Sequence, residues 1–275
     1  MIIDFHTHVF PDNIAPKAIA ALESSAEMFG LKAIADGTIA SLKTSMKNTG
    51  IDCSVTFGVA TKPAQVPSIN KWAIENNDPD SGIIFFGAMH PDYENQIDEI
   101  NRIKNAGLKG IKLHGEFQKF PADSEKMFTV YQILSDANLF VIFHCGDDLF
   151  AGNSGNSSAV RVRKVADKFP NLKIIAAHGG AFKQWDESIE HLSGKENIWI
   201  DISFLPGYIT DELWNELLES FGYEKILLGS DFPWMAQRKV LDWLKSKNLD
   251  EKIVNAILGG NAVELLNLNL IDKNN

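Results

Sequence analysis

An α/β fold built from repeated strand–helix units is predicted by three features of this sequence. Short runs continuous in Val, Ile, Leu or Phe recur through its 275 residues, amphipathic stretches separate them, and polar residues close several of the runs. A strand half exposed to water alternates apolar and polar side chains. Continuous runs instead suit parallel strands covered by helices on both faces.

Eight runs read as strands: Ile2–His6, Ser54–Ala60, Ile83–Met89, Gly110–His114, Phe140–His144, Lys173–His178, Ile198–Ile202 and Ile226–Gly229. Helical periodicity fills most intervals. Asn95–Ala106 sets Ile97, Ile100 and Ile103 on one face, and Ser124–Ala137 opens with a capping-type Ser-Glu-Lys-Met before Phe128, Val130, Tyr131 and Leu134. Thr38–Lys47, Val160–Phe169, Asp211–Phe221 and Val240–Leu244 are similar, and Gly107, Gly194 and Gly222 stand where helices should stop. Pro63–Pro67 and Asn76–Ser81 read as ordinary loops. Strand and helix in alternation make βαβ units, which either close into a barrel or spread into a doubly wound sheet. Periodicity does not choose between the two.

No Pro/Gly/Ser-rich linker or internal repeat divides the chain, so a single domain over residues 1–275 is expected. One departure is Asp12–Gly37, a segment with a helix-like centre (Ile14–Phe29) inserted between the first strand and its helix. Its Ile14, Ile19, Leu22, Met28 and Phe29 give enough apolar surface to cover something, but too little to fold alone. Such a segment is expected to act as a cap over a substrate pocket, or else to pack on the rim or against a second copy of the chain.

Composition narrows the function. Hydrophobic residues at 45% and charged residues at 23% suit a soluble globular protein. With 26 basic against 36 acidic residues the formal net charge is −10, so counterion release gives no drive toward nucleic acid or an anionic membrane. The opening MIIDFHTHVF lacks the basic n-region of a signal peptide, and no later run is long enough to span a bilayer. Two cysteines, Cys53 and Cys145, make no disulfide framework and read as reduced thiols of a cytoplasmic protein. The expected partners are a small-molecule substrate and, at most, a second copy in a homodimer.

The chemistry concentrates at strand ends. His6-Thr7-His8 closes the first run, and alternation puts the two imidazoles on one face, placed to chelate a divalent ion. His114, His144, His178 and Asp231 likewise stand at the ends of apolar runs, in GIKLHG, FHCG, AHGG and GSDFP. In a barrel, the C-terminal ends of strands are where active sites assemble. One such residue is ordinarily structural; a shared set of them points to a site. Glu116, Gln118, Asp147, Asp148 and His90 lie on neighbouring loops, and Phe117, Phe120, Phe204 and Trp234 are candidate pocket walls. Cys145 follows a candidate ligand and should point away from the metal.

Together, His6-x-His8, GIKLHG, FHCG, AHGG, GSDFP and the tail Leu258-Gly259-Gly260-Asn261-Ala262 resemble the amidohydrolase superfamily, in its amidohydrolase-related branch of decarboxylases, lactone hydrolases and hydratases. The resemblance runs from Ile3 to this tail. It implies a distorted (β/α)8 TIM barrel as a single domain, with a helical insertion after strand 1. It further implies one divalent ion, zinc with manganese as the alternative, held by His6, His8, His144 and Asp231. Asp231 and His178 would be the catalytic residues, with His178 beside the activated water.

Some members of the superfamily hold two ions, with a carbamylated lysine bridging from strand four. Here Lys112 lies two residues deeper than His114, which suits a structural or substrate-contact role better than a bridging one; Lys112, His114 and Trp234 are the expected substrate contacts. The implied reaction is hydrolysis of an amide, lactone or related bond of a small organic molecule. Non-oxidative decarboxylation of an aromatic or muconate-like acid is the alternative, and metal binding without catalysis a second one.

Overall fold

The computed structural model describes residues 1–268, so the end of the expected domain, 269–275, lies outside the described residues. Eight strands pair in parallel, each with the next in sequence. They are β1 (Ile3–Thr7), β2 (Cys53–Phe57), β3 (Ile83–Ala88), β4 (Gly110–Leu113), β5 (Phe140–Phe143), β6 (Lys173–Ala176), β7 (Ile198–Asp201) and β8 (Ile226–Leu227). The sheet curls until its last strand meets its first. Beyond the short β8, backbone bonds Phe5 N→Leu228 O (2.7 Å), Asp231 N→His6 O (2.7 Å) and His8 N→Phe232 O (2.6 Å) close the ring. That closure selects the (β/α)8 barrel over an open sheet.

Helices α1 (Ala15–Ser25) and α2 (Ile39–Thr49) follow β1, α3 (Val66–Asn76) follows β2, and α4 (Gln96–Asn105) follows β3. The short α5 (Gly115–Gln118) and α6 (Phe128–Asp136) follow β4, then come α7 (Ala159–Lys168), α8 (Trp185–Leu192) and α9 (Asp211–Phe221) after the next three strands. After β8 the chain makes α10 (Gln237–Lys245), α11 (Glu251–Asn255) and α12 (Asn261–Leu266). Thr38 caps α2 as its sequence suggests, accepting from Ser41 N while the Ser41 hydroxyl receives Thr38 N.

Two expectations need correction. Pro63–Pro67 is no simple loop: a 3₁₀ turn at Pro63–Gln65 runs directly into α3, with Pro67 in its first turn. Proline there loses no helical hydrogen bond and presets the backbone angle, so it starts a helix where it would break one further in. The second concerns β1. A bulge between Asp4 and Thr7 sets three steps of β1 against two of β2, so simple alternation fails. Phe5 packs edge-on to Phe86 inside the barrel, yet His6 also reaches the interior, against Phe57 at 4.9 Å.

The two ends of the barrel differ chemically. Ile3, Phe5, Val55, Phe86, Phe140 and Leu227 fill the interior together with Leu265 and Leu266 of α12, which plugs the bottom. The tail glycines permit this: a Cβ on Gly259 would stand 2.3 Å from Met1 O. Asn261 then donates to Tyr223 O and Ile226 O, both at 2.7 Å, tying α12 to the start of β8. A second, larger apolar layer joins the strands to the outer helices through residues such as Phe85, Ile111, Ile174, Ile103 and Trp214. Each large side chain fully buried there contributes roughly 1.5–3 kcal/mol. With the bottom sealed by hydrocarbon, the polar strand ends are left to the open top.

The inserted segment departs from and returns to that top. Phe10 N donates to Gly37 O (2.8 Å) at its base, and Ile34 N donates to Pro233 O (2.9 Å) beside the end of β8. Within it, Ala33 N bonds the Glu23 carboxylate at 2.9 Å, folding the return strand of the loop back on α1.

Candidate metal centre

His6 and His8 are oriented by their inner ring nitrogens. His6 Nδ1 lies 2.8 Å from Asp201 Oδ2 at the end of β7, and His8 Nδ1 lies 3.0 Å from the Phe57 carbonyl at the end of β2. A carboxylate and a carbonyl can only accept, so each ring carries a proton on Nδ1, and the neutral tautomer then has its lone pair on Nε2. Both Nε2 atoms face Asp231 Oδ1, at 3.5 Å from His6 and 3.1 Å from His8. Although buried, neither His6 Nε2 nor Asp231 Oδ1 makes a well-aligned hydrogen bond. Buried polar atoms left so are uncommon and call for an explanation.

His178 and His144 extend the arrangement. Ser203 Oγ donates to Asp201 Oδ1 and therefore accepts from His178 Nδ1 at 2.8 Å, leaving the His178 Nε2 lone pair free. His144 Nε2 points at the Asp147 carbonyl (3.1 Å) and at Asp148 Oδ2 (3.5 Å), leaving its lone pair on Nδ1. These two lone-pair nitrogens face each other at 3.1 Å. Such a contact needs a proton or a cation to satisfy it. The donor set therefore fits a divalent ion: several neutral imidazoles and a carboxylate, each with an outer partner that fixes its tautomer.

Electrostatics favour the same state. Burial, then the Lys112 charge, holds His6 well below its ordinary value. Burial, then His144 and His6, does the same for His178, and burial with His114 pushes His144 down to about 3. Burial raises the Asp231 carboxyl, but His6, His8 and Lys112 together outweigh it and keep it below the usual carboxylate range. Neutral imidazoles and an ionised carboxylate are the forms that bind metal.

His144 nonetheless groups differently from the expected ligand set. The ligand atoms of His6, His8 and Asp231 converge, whereas His144 converges with His114 and Asp148. The rings of His114 and His144 stack at 4.1 Å, and His114 Nε2 reaches Asp148 Oδ2 at 3.3 Å. Because His114 Nδ1 accepts from Phe117 N, its Nε2–H is what Asp148 receives. Burial opposes ionisation of Asp148, but the His114 bond and the two imidazoles hold it well below the usual range.

Lys112 is buried under the site, its Nζ without a hydrogen-bond partner and 4.9 Å over the Phe57 ring. Burial lowers it to about 8 against the pull of Asp201 and Asp231. Lys112, His114 and Trp234 all line one cavity of about 700 Å³ that also contains His6, His8, His144, His178 and Asp231. Phe117 lines it too. Phe120 instead belongs to the outer core, and Phe204 packs near His178 at 6.2 Å. Glu116 staples its loop by accepting from Ser154 N and Asn156 N, and Gln118 bridges Ala60 O and Met89 O. His90 accepts from Asp92 N as a turn cap. The Cys145 sulfur turns to Phe143 O, and burial pushes its thiol up to about 12, which makes it inert.

Sequence reasoning missed Asp201 and Ser203. Their signal was present, since Asp201 interrupts the run Ile-Trp-Ile-Asp-Ile-Ser at the end of β7 as His114 and His144 do on theirs. His178 and Asp231 also share left-handed backbone, with φ of 62° and 64°. Residues with side chains off this backbone cluster at functional sites, where the surroundings hold them in place.

Similarity to known proteins agrees with this geometry. A 5-carboxyvanillate decarboxylase from Sphingomonas paucimobilis is 14% identical, with 98% of this chain and 99% of that one covered and a TM-score of 0.69. A dihydroxybenzoic acid decarboxylase from Polaromonas sp. JS666, with bound manganese and the inhibitor 2-nitroresorcinol, is 15% identical over 97% of both chains, with a TM-score of 0.73. An Acinetobacter baumannii protein described as a probable 2-pyrone-4,6-dicarboxylic acid hydrolase, with citric acid bound, is 16% identical over 97% and 99%, at 0.68. At these identities the solved structures show a shared fold. The match to the amidohydrolase family extends over residues 3–268. That range takes in both ends of the barrel and every strand-end residue above, and the chain belongs to the amidohydrolase family, a group of metal-dependent hydrolases and decarboxylases.

Proposed function

We propose that the protein is a metal-dependent hydrolase of an amide, lactone or related acyl bond in a small organic substrate. The observation that carries this reading is Asp231: a buried carboxylate whose Oδ1 faces the Nε2 atoms of His8 and His6 at 3.1 and 3.5 Å. It is placed both to hold an ion with His6 and His8 and to take a proton beside it. The ion, zinc before manganese, would be held by His6, His8, Asp231 and the His144 Nδ1 lone pair. When bound, it supplies Lewis-acid polarisation and brings the pKa of water toward ~7.

The chain's own residues divide the remaining work. Asp231 accepts the proton released on attack and returns it to the leaving group. His178, fixed by Ser203 and Asp201, presents Nε2 to the reacting oxygen. The Lys112 ammonium receives the substrate's polar group, His114 lines the cavity beside it, and Trp234, packed on Phe150 at 4.8 Å, walls the mouth.

Decarboxylation is the second reading, favoured by the buried Lys112 ammonium, which suits a carboxylate. No arginine lines the cavity among the described residues to make a bidentate clamp: Arg161 pairs with Asp123 and Arg163 with Asp167 on the outer face. Purified zinc- and manganese-loaded protein should be assayed on lactones, amides and aromatic carboxylic acids. Acid release from a lactone or amide is expected. Carbon dioxide from a carboxylic acid without hydrolysis would replace the first reading with the second, and failure to retain any divalent ion would remove both.

A further inference from the structure

The cavity above the candidate metal centre is larger and more apolar than the polar strand ends require. It continues from His6, His8 and Asp231 outward between the inserted helix α1 and α3, and its volume is about 700 Å³. Pockets of ~300–1,000 Å³ enclose drug-sized ligands, far larger than a water and a few-atom acid. Along this outer stretch the walls are Phe10, Ile14 and Leu22 on one side and Ile69, Trp72 and Phe85 on the other.

At its inner end stands the Lys112 Nζ, buried without a hydrogen-bond partner. A buried ammonium lacking an acceptor is costly, and an incoming oxygen would relieve it. At the outer end this apolar wall reaches solvent at Ile14, which lines the cavity and is half exposed, with Lys17 of the adjoining helix α1 also in the lining. A hydrocarbon wall running from a cationic floor to the surface is a profile for one kind of ligand.

We propose that the site takes an amphiphilic acyl compound, its oxygen head reaching Lys112 and the metal centre and its apolar chain lying between α1 and α3. This rests on the hydrolase reading for the fate of the head group, and it assigns the inserted segment as one wall of the chain-binding half. The expected substrate class is therefore a medium-chain or aryl-alkyl ester, lactone or amide, not a compact polar acid.

Binding of butanoate, octanoate and dodecanoate to the zinc-loaded protein, measured by calorimetry below their micellar range, tests this without turnover. Affinity should rise about fourfold per added methylene until the cavity is full. Ala21→Trp, at an exposed position of α1 lining the cavity, should abolish that rise while leaving butanoate binding unchanged. Ser68→Trp on the opposite wall should do the same if the first variant fails to fold. Lys112→Met should weaken octanoate binding roughly tenfold or more. A flat dependence on chain length would overturn the proposal, as would a rise that both tryptophans leave intact, since the chain would then bind elsewhere. Concentration-dependent dimerisation lost in these variants, with flat binding, would give the exposed face of α1 to a second copy instead. A clear chain-length rise in a protein that hydrolyses no acyl compound would remove the hydrolase reading and keep the amphiphile. Turnover of short substrates alone, with flat binding, would do the reverse.

Discussion

Two aspartates lie close together where β1 meets the turn after β8, and they behave oppositely. Asp4 accepts from Ser230 N (2.9 Å), Ser230 Oγ (2.5 Å), Gln237 Nε2 (2.7 Å) and, more weakly, His6 N (3.3 Å). Burial still pushes it up to about 6, because these neutral donors only partly replace water. Asp231, the residue after Ser230, is equally buried but shifts down, since His6, His8 and Lys112 outweigh burial there. Full satisfaction by neutral donors marks Asp4 as a staple joining β1 to the turn before α10. The unpaired Asp231 Oδ1 and the two imidazoles it faces are what assign Asp231, in the proposed reading, to an ion. Burial is common to both; what surrounds each carboxylate sets them apart.

The strongest way to break that comparison is to neutralise each in turn. Wild-type protein purified without chelators should carry about one divalent ion per chain by elemental analysis. Asp231→Asn and His6→Ala should both lose it along with activity, whereas Asp4→Asn should retain it. Metal retained at wild-type level in Asp231→Asn would end the assignment. A wild-type stoichiometry near two would bring in a second ion, with His178 as its ligand.

His178→Asn sharpens the line between holding the metal and using it. Most of the ion should stay while kcat falls roughly 10²–10⁴-fold, the scale of a positioned acid–base group. An emptied site would make His178 a ligand.

Asp4 gives a stability test with a definite sign. Its folded pKa of about 6 lies above the ordinary 3.8, so its contribution is fully present below that value and is lost as pH rises through about 6. Relative to Asp4→Asn, the wild type should lose on the order of 3 kcal/mol across this window. Paired chemical unfolding curves at several pH values measure the difference. Parallel pH profiles of the two proteins would show that Asp4 titrates normally.

The smallest effect is expected at Asp201, which holds the His6 tautomer and, through Ser203, His178. Asp201→Asn should weaken zinc affinity about 10–100-fold in a competition with a chelator of known strength. An unchanged affinity would reduce the carboxylate to packing.

Much of this molecule was legible before folding was considered. Parallel strands buried on both faces need uninterrupted apolar runs, so all eight could be read, and histidines or aspartate ending such runs stood out because burial is costly for them. α3 was hidden because Pro63 and Pro67 look like loop residues until one knows they start helical turns. His6 and His8 were paired correctly, their rings 5.3 Å apart, although the strand carrying them bulges instead of alternating.

The sequence by itself determined the strand count, the polar top and the identity of the residues gathered there, because these follow from periodicity and from the cost of burying polar groups. Only the tertiary structure decided that the ring closes, that Asp201 sets the His6 tautomer across 195 positions of sequence, and that the inserted helix faces α3 over an apolar cavity. Those depend on contacts between segments distant along the chain, and no local pattern records which nitrogen of a histidine will meet which oxygen.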